Sequence, residues 1–228
     1  MPRNARAALG GICYHVISCG NGRQRVFRKD EDYRSFLTAL DDASLEIPMR
    51  VPGYCLMPNH FHPVVWPEHD GDMSRWTHWA QNAHVRRYHH NYNSSGHIWQ
   101  GRLKSFPIQQ DEHLLTVLRY VERNPVRAEL VERAEQWIWS SAHHWAGSSD
   151  RPAFLIPGPV RRPKKWLEWV NQAISPPELG ALRRSAIRGT PYGEATWNVS
   201  TANLLGLEST LRPRGRPRKV AETKQATE

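Results

Sequence analysis

The sequence predicts an α+β protein. Two kinds of apolar periodicity, the order of the elements and the apolar content support this. Short runs of period two alternate with longer stretches of helical period, in the order strand, helix, strand, strand, helix, strand, helix. An apolar content of 39% over 228 residues, with ten Trp, is enough for a packed core.

Tyr14–Ser18 reads as the first strand and runs into a Gly-rich turn at Gly20–Gly22. Asp30 is placed to cap a helix through about Leu45, with Tyr33, Phe36, Leu37 and Leu40 on one face. Arg50–Leu56 is the second strand, and Pro58-Asn59 a turn into the third, His60–Trp66. A long helix follows from Met73 to Tyr92, carrying Trp76, Trp79, Ala83 and Tyr88 at helical spacing. Leu103–Ile108 is the fourth strand. Asp111 then caps a helix to Asn124 whose apolar face is Leu114, Leu115, Leu118 and Val121. This order matches a ferredoxin-like split βαβ antiparallel sheet with added helices. Pro63 removes a ladder N–H in the third strand, so a bulge or an unpaired position is expected there.

Past Ala146 the composition shifts. Residues 1–146 read as one domain, 147–211 as a helical extension and 212–228 as a basic tail, with Val220–Glu228 disordered. Residues 147–165, rich in Pro, Gly, Ser and base, read as a linker or irregular surface segment. Short helices are expected at Trp166–Ile174, Pro177–Arg188 and Ala195–Leu205, the last ended by Gly206.

The net charge of +9 favours a polyanionic partner, nucleic acid before an acidic membrane surface. No run approaches the roughly 18 to 20 apolar residues of a membrane span, and the basic start lacks the apolar core of a secretory signal. Cys13, Cys19 and Cys55, odd in number and without CxxC spacing, read as reduced thiols of a cytoplasmic, nucleoid-associated protein.

Two stretches carry chemistry. In His60-Phe61-His62 the imidazoles share one strand face while Phe61 points into the core, which suits a divalent ion held by few protein ligands. In LTVLRYVERNPVRAEL (115–130), Tyr120 and Asn124 are one helical turn apart, and Pro125 ends or kinks the helix. A phenol opposite a His pair can attack a phosphodiester that the metal polarises. The bland alternative is a Tyr packed under the sheet and an Asn capping the helix end. His84, His89, His90, His143 and His144 read as ordinary histidines, and Trp76, Trp79, Trp99, Trp137 and Trp139 as core before base-stacking platforms.

Together MPNHFH (57–62), GRLKSFPI (101–108), LRYVERNPVRAELV (118–131) and WSSAHHW (139–145) resemble the REP-associated tyrosine transposases, relatives of the single-tyrosine HUH transposases (IS200-like). YHVISCGNGRQRVF (14–27) and TLRPRGRPRK (210–219) extend the likeness over nearly the whole chain. Pro63 stands where the family usually carries an aliphatic residue, and Cys19 where relatives often have arginine. The resemblance implies a nuclease and strand transferase acting on single-stranded, hairpin-forming palindromic DNA. It would work through Tyr120 and a 5′-phosphotyrosine intermediate. His60 and His62, with Asn124 as a third ligand, would hold Mg2+ or Mn2+. The mixed nitrogen and oxygen donors favour Mn2+. An ordinary phenol ionises near pH ~10, so the attack needs a base, which the sequence does not identify. Arg102, Lys104, Arg119 and Arg123 are candidate phosphate contacts, and the REP-associated branch points to a monomer.

In the tail, Arg214-Gly215-Arg216-Pro217, flanked by Arg212 and Arg218, contains the core of an AT-hook, narrow enough for the minor groove of AT-rich duplex. A solvated tail that binds phosphates without choosing sequence is the alternative. Two other function classes stay open. One is a catalytically silent palindrome-binding protein, and the other a zinc hydrolase on His-x-His. The second is weakened because no carboxylate is spaced as a third ligand and no HExxH is present.

Overall fold

A computed structural model of the chain describes residues 8–101 and 103–212. Strand β1 (Cys13–Cys19) turns through a 3-10 segment at Asn21–Arg23 into helix α1 (Asp30–Glu46). Strands β2 (Met49–Met57) and β3 (His60–Pro67) form a hairpin, followed by α2 (Asp72–Tyr92), β4 (Lys104–Ile108) and α3 (Glu112–Glu122). The sheet order is β2-β3-β1-β4 with every pairing antiparallel. Each helical crossover thus spans a strand of the other unit, the split βαβ arrangement expected from the element order.

Strand alternation divides the side chains between two cores. Tyr14 and Val16 of β1, Leu56 of β2, and Phe61 and Val65 of β3 pack with Phe36, Leu40, Trp76 and Ala80 of α1 and α2. Cys13, Cys55, Met57, Val64, Phe106 and Ile108 face the other way, against Leu114, Val117, Leu118 and Val121 of α3. Gly53 lets α3 come this close: a Cβ there would sit 2.6 Å from Leu118 Cδ2 and 3.2 Å from Ser141 Oγ. At α1, Asp30 opens the helix, but the capping oxygen is supplied by Asp32. Its Oδ2 accepts from the N–H groups of Arg28 and Lys29.

Pro63 lies opposite Tyr54 in the β2 ladder, while on the β1 side pairing skips from Phe61 to Val64. The missing N–H therefore falls at a gap in the ladder, the second of the two outcomes expected. The bulge in this hairpin lies elsewhere, between Arg50 and Gly53.

Beyond α3 come α4 (Asn124–Arg127), α5 (Ser141–Trp145), α6 (Trp166–Asn171), α7 (Pro176–Arg188), α8 (Ala195–Leu205) and α9 (Glu208–Leu211). Residues 147–165 are irregular, yet Phe154 and Leu155 are buried, and Leu155 bridges Val51 at the outer edge of β2. At the opposite edge the Tyr192 N–H donates to Pro107 O, and Gln109 N–H to Tyr192 O. The C-terminal third thus covers unpaired backbone at both sheet edges. Its α6 packs on α3 through Trp166 and Val170. No helix among the described residues is long and apolar enough to cross a membrane. Arg102, Arg214, Arg216, Arg218 and Val220–Glu228 lie outside the described residues.

Candidate active site

His60 and His62 project from β3 toward α3, their ring centroids 4.6 Å apart. Each has its Nδ1 engaged. His60 Nδ1 lies 2.6 Å from Asn59 Oδ1, an acceptor only, so the imidazole donates there and its Nε2 keeps a lone pair. His62 Nδ1 lies 3.0 Å from Nε2 of His15, a residue of β1. Ser18↔Phe61 and His15↔Val64 are register partners, and this brings His15 diagonally beside His62. His62 and His15 are buried and His60 half-buried. Burial, helped by the guanidiniums of Arg127 and Arg23, lowers His60 to about 4. Burial, with its imidazole neighbours, holds His62 well below the ordinary value. His15 is lowered to about 3, by burial first and His60 second. All three rings are neutral near pH 7, the state in which imidazole offers a lone pair.

Tyr120 meets this cluster edge-on from α3, its ring 6.4 Å from His62 and 6.0 Å from His15. Arg127 lies over the Tyr120 ring, with its Nη1 3.4 Å from the phenol oxygen. Its Nη2 donates to Asn124 Oδ1, while Asn124 Nδ2 donates to Val121 O at 3.2 Å. Tyr120, Asn124 and Arg127 share one face because the chain stays helical through Arg123 and restarts at once in α4. Pro125 is tolerated there because the first turn of a helix needs no N–H. α3 thus ends at Glu122 and α4 begins at Asn124, so the break falls at Arg123, ahead of the proline.

The arrangement fits a divalent cation at the two histidines: both imidazoles are neutral and have Nδ1 engaged, which leaves Nε2 as the nitrogen on each open to a ligand, on His62 when Nδ1 carries its proton. Asn124 Oδ1 accepts one hydrogen bond, from Arg127, and retains a second lone pair. Among the described residues a different trio, Asp111, Glu112 and His113, has its ligand atoms converging. It is a poorer fit, because Asp111 Oδ1 is spent on the N–H and Nδ1 of His113, each at 2.8 Å, as the cap of α3.

The structure corrects the expectation for Arg119. Its side chain is 6% exposed. Its guanidinium donates to Trp169 O, Gln172 O and Ala173 O and pairs with Glu178. Arg123 is half-buried and donates through Nη1 to Val170 O and Asn171 O. Both arginines satisfy carbonyls at the C-terminal end of α6, which a helix leaves unpaired. They fasten the extension to α3 instead of lying open to phosphate. Beside them Tyr120, Arg123, Arg127, Ala173, Ile174 and Leu179 line a cavity of about 170 Å3. Lys104 is exposed at the start of β4, and Arg212 is exposed after α9.

Several of the other histidines and tryptophans singled out have structural partners. His84 Nε2 bonds Val26 O, and His144 Nε2 bonds the Tyr54 hydroxyl. Trp139 stacks on Tyr33 at 4.8 Å, and Trp137 donates to Leu56 O. Sequence reasoning missed His15, Asn59 and Arg127. For Arg127 a signal existed, since it lies at i+7 from Tyr120 and i+3 from Asn124 on a continuing helical face.

Residues 9–124, half of the chain, match the family described as Transposase IS200 like. A Haemophilus influenzae protein described as a REP-associated tyrosine transposase is 26% identical over 141 residues, spanning 52% of this chain and 80% of that protein. A solved structure of a REP-associated tyrosine transposase bound to a REP hairpin is similar in fold. The TM-score is 0.53 at 20% identity, covering 77% of this chain and 99% of that one. With a family match over half its length and the sheet of that fold, the chain belongs to the IS200-like transposases, a family of DNA-cleaving enzymes.

Proposed function

We propose that the protein binds single-stranded, hairpin-forming palindromic DNA and cleaves and rejoins it through Tyr120. The observation that carries this reading is the meeting of three groups: the Tyr120 phenol, the neutral His60–His62 pair, and the exposed Arg127 guanidinium 3.4 Å from the phenol oxygen. The Tyr120 phenol gives up its proton as its oxygen attacks the scissile phosphorus, forming a Tyr120 O–P bond. The P–O3′ bond breaks, and the released strand leaves with a free 3′-OH after taking up a proton. The phosphodiester energy is kept in the 5′-phosphotyrosine, so a 3′-OH can reverse the step and join strands.

Arg127 faces both the nucleophile and the place a phosphate must occupy, and its fixed charge offsets the negative charge that builds on the phosphoryl oxygens. A divalent cation on the two Nε2 atoms, with Asn124 Oδ1 as an oxygen ligand, would polarise the phosphate, and Mn2+ suits these donors better than Mg2+. Lys104, exposed at the start of β4, is a contact for the DNA strand, and Arg102, outside the described residues, is a second candidate from the sequence. Arg212, Arg214, Arg216 and Arg218 add a basic tail for duplex phosphate or an AT-rich minor groove. The monomer is the working form.

The test is a denaturing gel of labelled hairpin DNA from the gene's own flanks, incubated with Mn2+ or with EDTA. A metal-dependent, protease-sensitive DNA–protein adduct that disappears in Tyr120→Phe is expected. Cleavage that survives Tyr120→Phe overturns the assignment of the nucleophile. Tight hairpin binding without cleavage in any metal would leave a palindrome-binding protein in its place.

A further inference from the structure

We propose that His15 is a positioning residue for His62: its Nε2 accepts the Nδ1 proton of His62 and so presents the Nε2 lone pair of His62 to the cation site. The proposal rests on the reading of His60 and His62 as metal ligands and adds a third imidazole that does not itself bind the ion.

One proton lies between His15 Nε2 and His62 Nδ1, 3.0 Å apart. If His15 carries it, His62 holds its other proton on Nε2 and is blind to a cation. If His62 carries it, Nε2 is free. A cation on His62 Nε2 requires the second arrangement, in which neutral His15 accepts at Nε2 and carries its own proton on Nδ1. His15 is fully buried on β1, stacked on His62 with an interplanar angle of 18°, and held edge-on by Phe106 at 5.1 Å. Its own Nδ1 has no hydrogen-bond partner among the described residues. A buried polar atom without a partner is a cost that an apolar residue would avoid, so the bond to His62 is what a histidine adds at this position. His60 has the matching device, with Asn59 Oδ1 fixing its Nδ1–H. Each imidazole of the pair is thus oriented by a hydrogen bond on the nitrogen that faces away from the cation, the usual arrangement behind metal-binding histidines. His15 is not a third ligand: the converging trio among the described residues is Asp111, Glu112 and His113, not the three histidines.

The experiment titrates the full chain, without DNA, with Mn2+ and follows bound metal by electron paramagnetic resonance. His15→Phe, which keeps the ring and removes the acceptor, is expected to weaken Mn2+ binding by about ten- to a hundredfold. His15→Gln, whose side-chain oxygen accepts a proton in the same direction, restores most of it, and hairpin affinity in EDTA stays at the wild-type level in both. Equal Mn2+ affinity in wild type and His15→Phe overturns the proposal, as do His15→Phe and His15→Gln weakened alike. Wild-type protein that binds no Mn2+, with His60→Ala indistinguishable from it, overturns the metal reading itself, a separate outcome.

A second measurement needs no variant. Nitrogen-15 shifts of the wild-type histidines are recorded with Zn2+ as a diamagnetic probe. His62 protonated on Nδ1 and ligated through Nε2 supports the proposal, and the reverse tautomer overturns it.

Discussion

Arg162→Met breaks the buried pair that clamps the extension to α3. Glu122 is fully buried. It accepts from Ser141 Oγ and Trp166 Nε1, each at 2.7 Å, and faces Arg162 at 3.6 Å. Arg162, 10% exposed, also donates to Pro52 O and Pro157 O. Removing one partner of such a pair costs about 3–5 kcal/mol because a buried charge is left uncompensated. Glu122 has an escape, however. Burial already raises its pKa, and Arg162 is the chief influence lowering it. A carboxyl whose folded pKa lies above its unfolded value favours the fold most at low pH, and that contribution is lost as pH rises between the two values. Without Arg162 the folded value climbs further and the window extends upward.

The loss in Arg162→Met is therefore expected to be about 3–5 kcal/mol near pH ~8. At a lower pH, where Glu122 takes a proton, it shrinks toward the roughly 1–2 kcal/mol of the lost carbonyl bonds. Urea unfolding followed by Trp fluorescence at the two pH values measures it. Adding Glu122→Gln to the variant should recover part of the loss at high pH and remove its pH dependence. A loss that is the same at both pH values, or under about 1 kcal/mol at the higher, would refute the buried-charge account.

Three further outcomes are expected. Arg127→Ala should slow adduct formation by about 10²–10³-fold with hairpin affinity much less affected, as measured in single-turnover gels. Because His60 is held at about 4, Mn2+ affinity should stay level from neutral pH down to about pH 5.5 and fall only below it, where an ordinary imidazole would already be losing metal near 6.5. Calorimetric titration at several pH values checks this, and a midpoint near 6.5 would mean that His60 is solvated. Gly53→Ala, forcing a Cβ to 2.6 Å from Leu118 Cδ2, should cost about 1–3 kcal/mol in the same unfolding assay.

Much of the site was legible because it is local. His60 and His62 share a face by strand period, and Tyr120 and Asn124 share one by helical period, so neither pairing needed a tertiary structure. The helix ends were less legible. The expected Asp111–Asn124 helix is α3 plus α4, because Arg123 keeps helical geometry and Pro125 falls in a first turn. Arg119 misled because a charged residue beside a nucleophile reads as a phosphate contact. Its true partners, the carbonyls of 169, 172 and 173, lie some fifty residues away in a segment whose path no period reveals. Residues 147–165 likewise read as linker by composition, yet they bury Phe154 and Leu155 at the sheet edge.

By itself the sequence determined the split βαβ order, the His-x-His face, the tyrosine one helical turn from an asparagine, and the excess of base that calls for a polyanion. All of these depend on residues a few positions apart, where backbone geometry alone sets which side chains are neighbours. Only the tertiary structure decided that His15 stands behind His62, that Arg127 reaches the phenol, and that Arg119 is spent on fastening α6. These contacts are lateral, across strands and between helix faces. They are set by sheet register and by the α3–α4 junction at Arg123, which depend on the whole core finding its lowest free energy together.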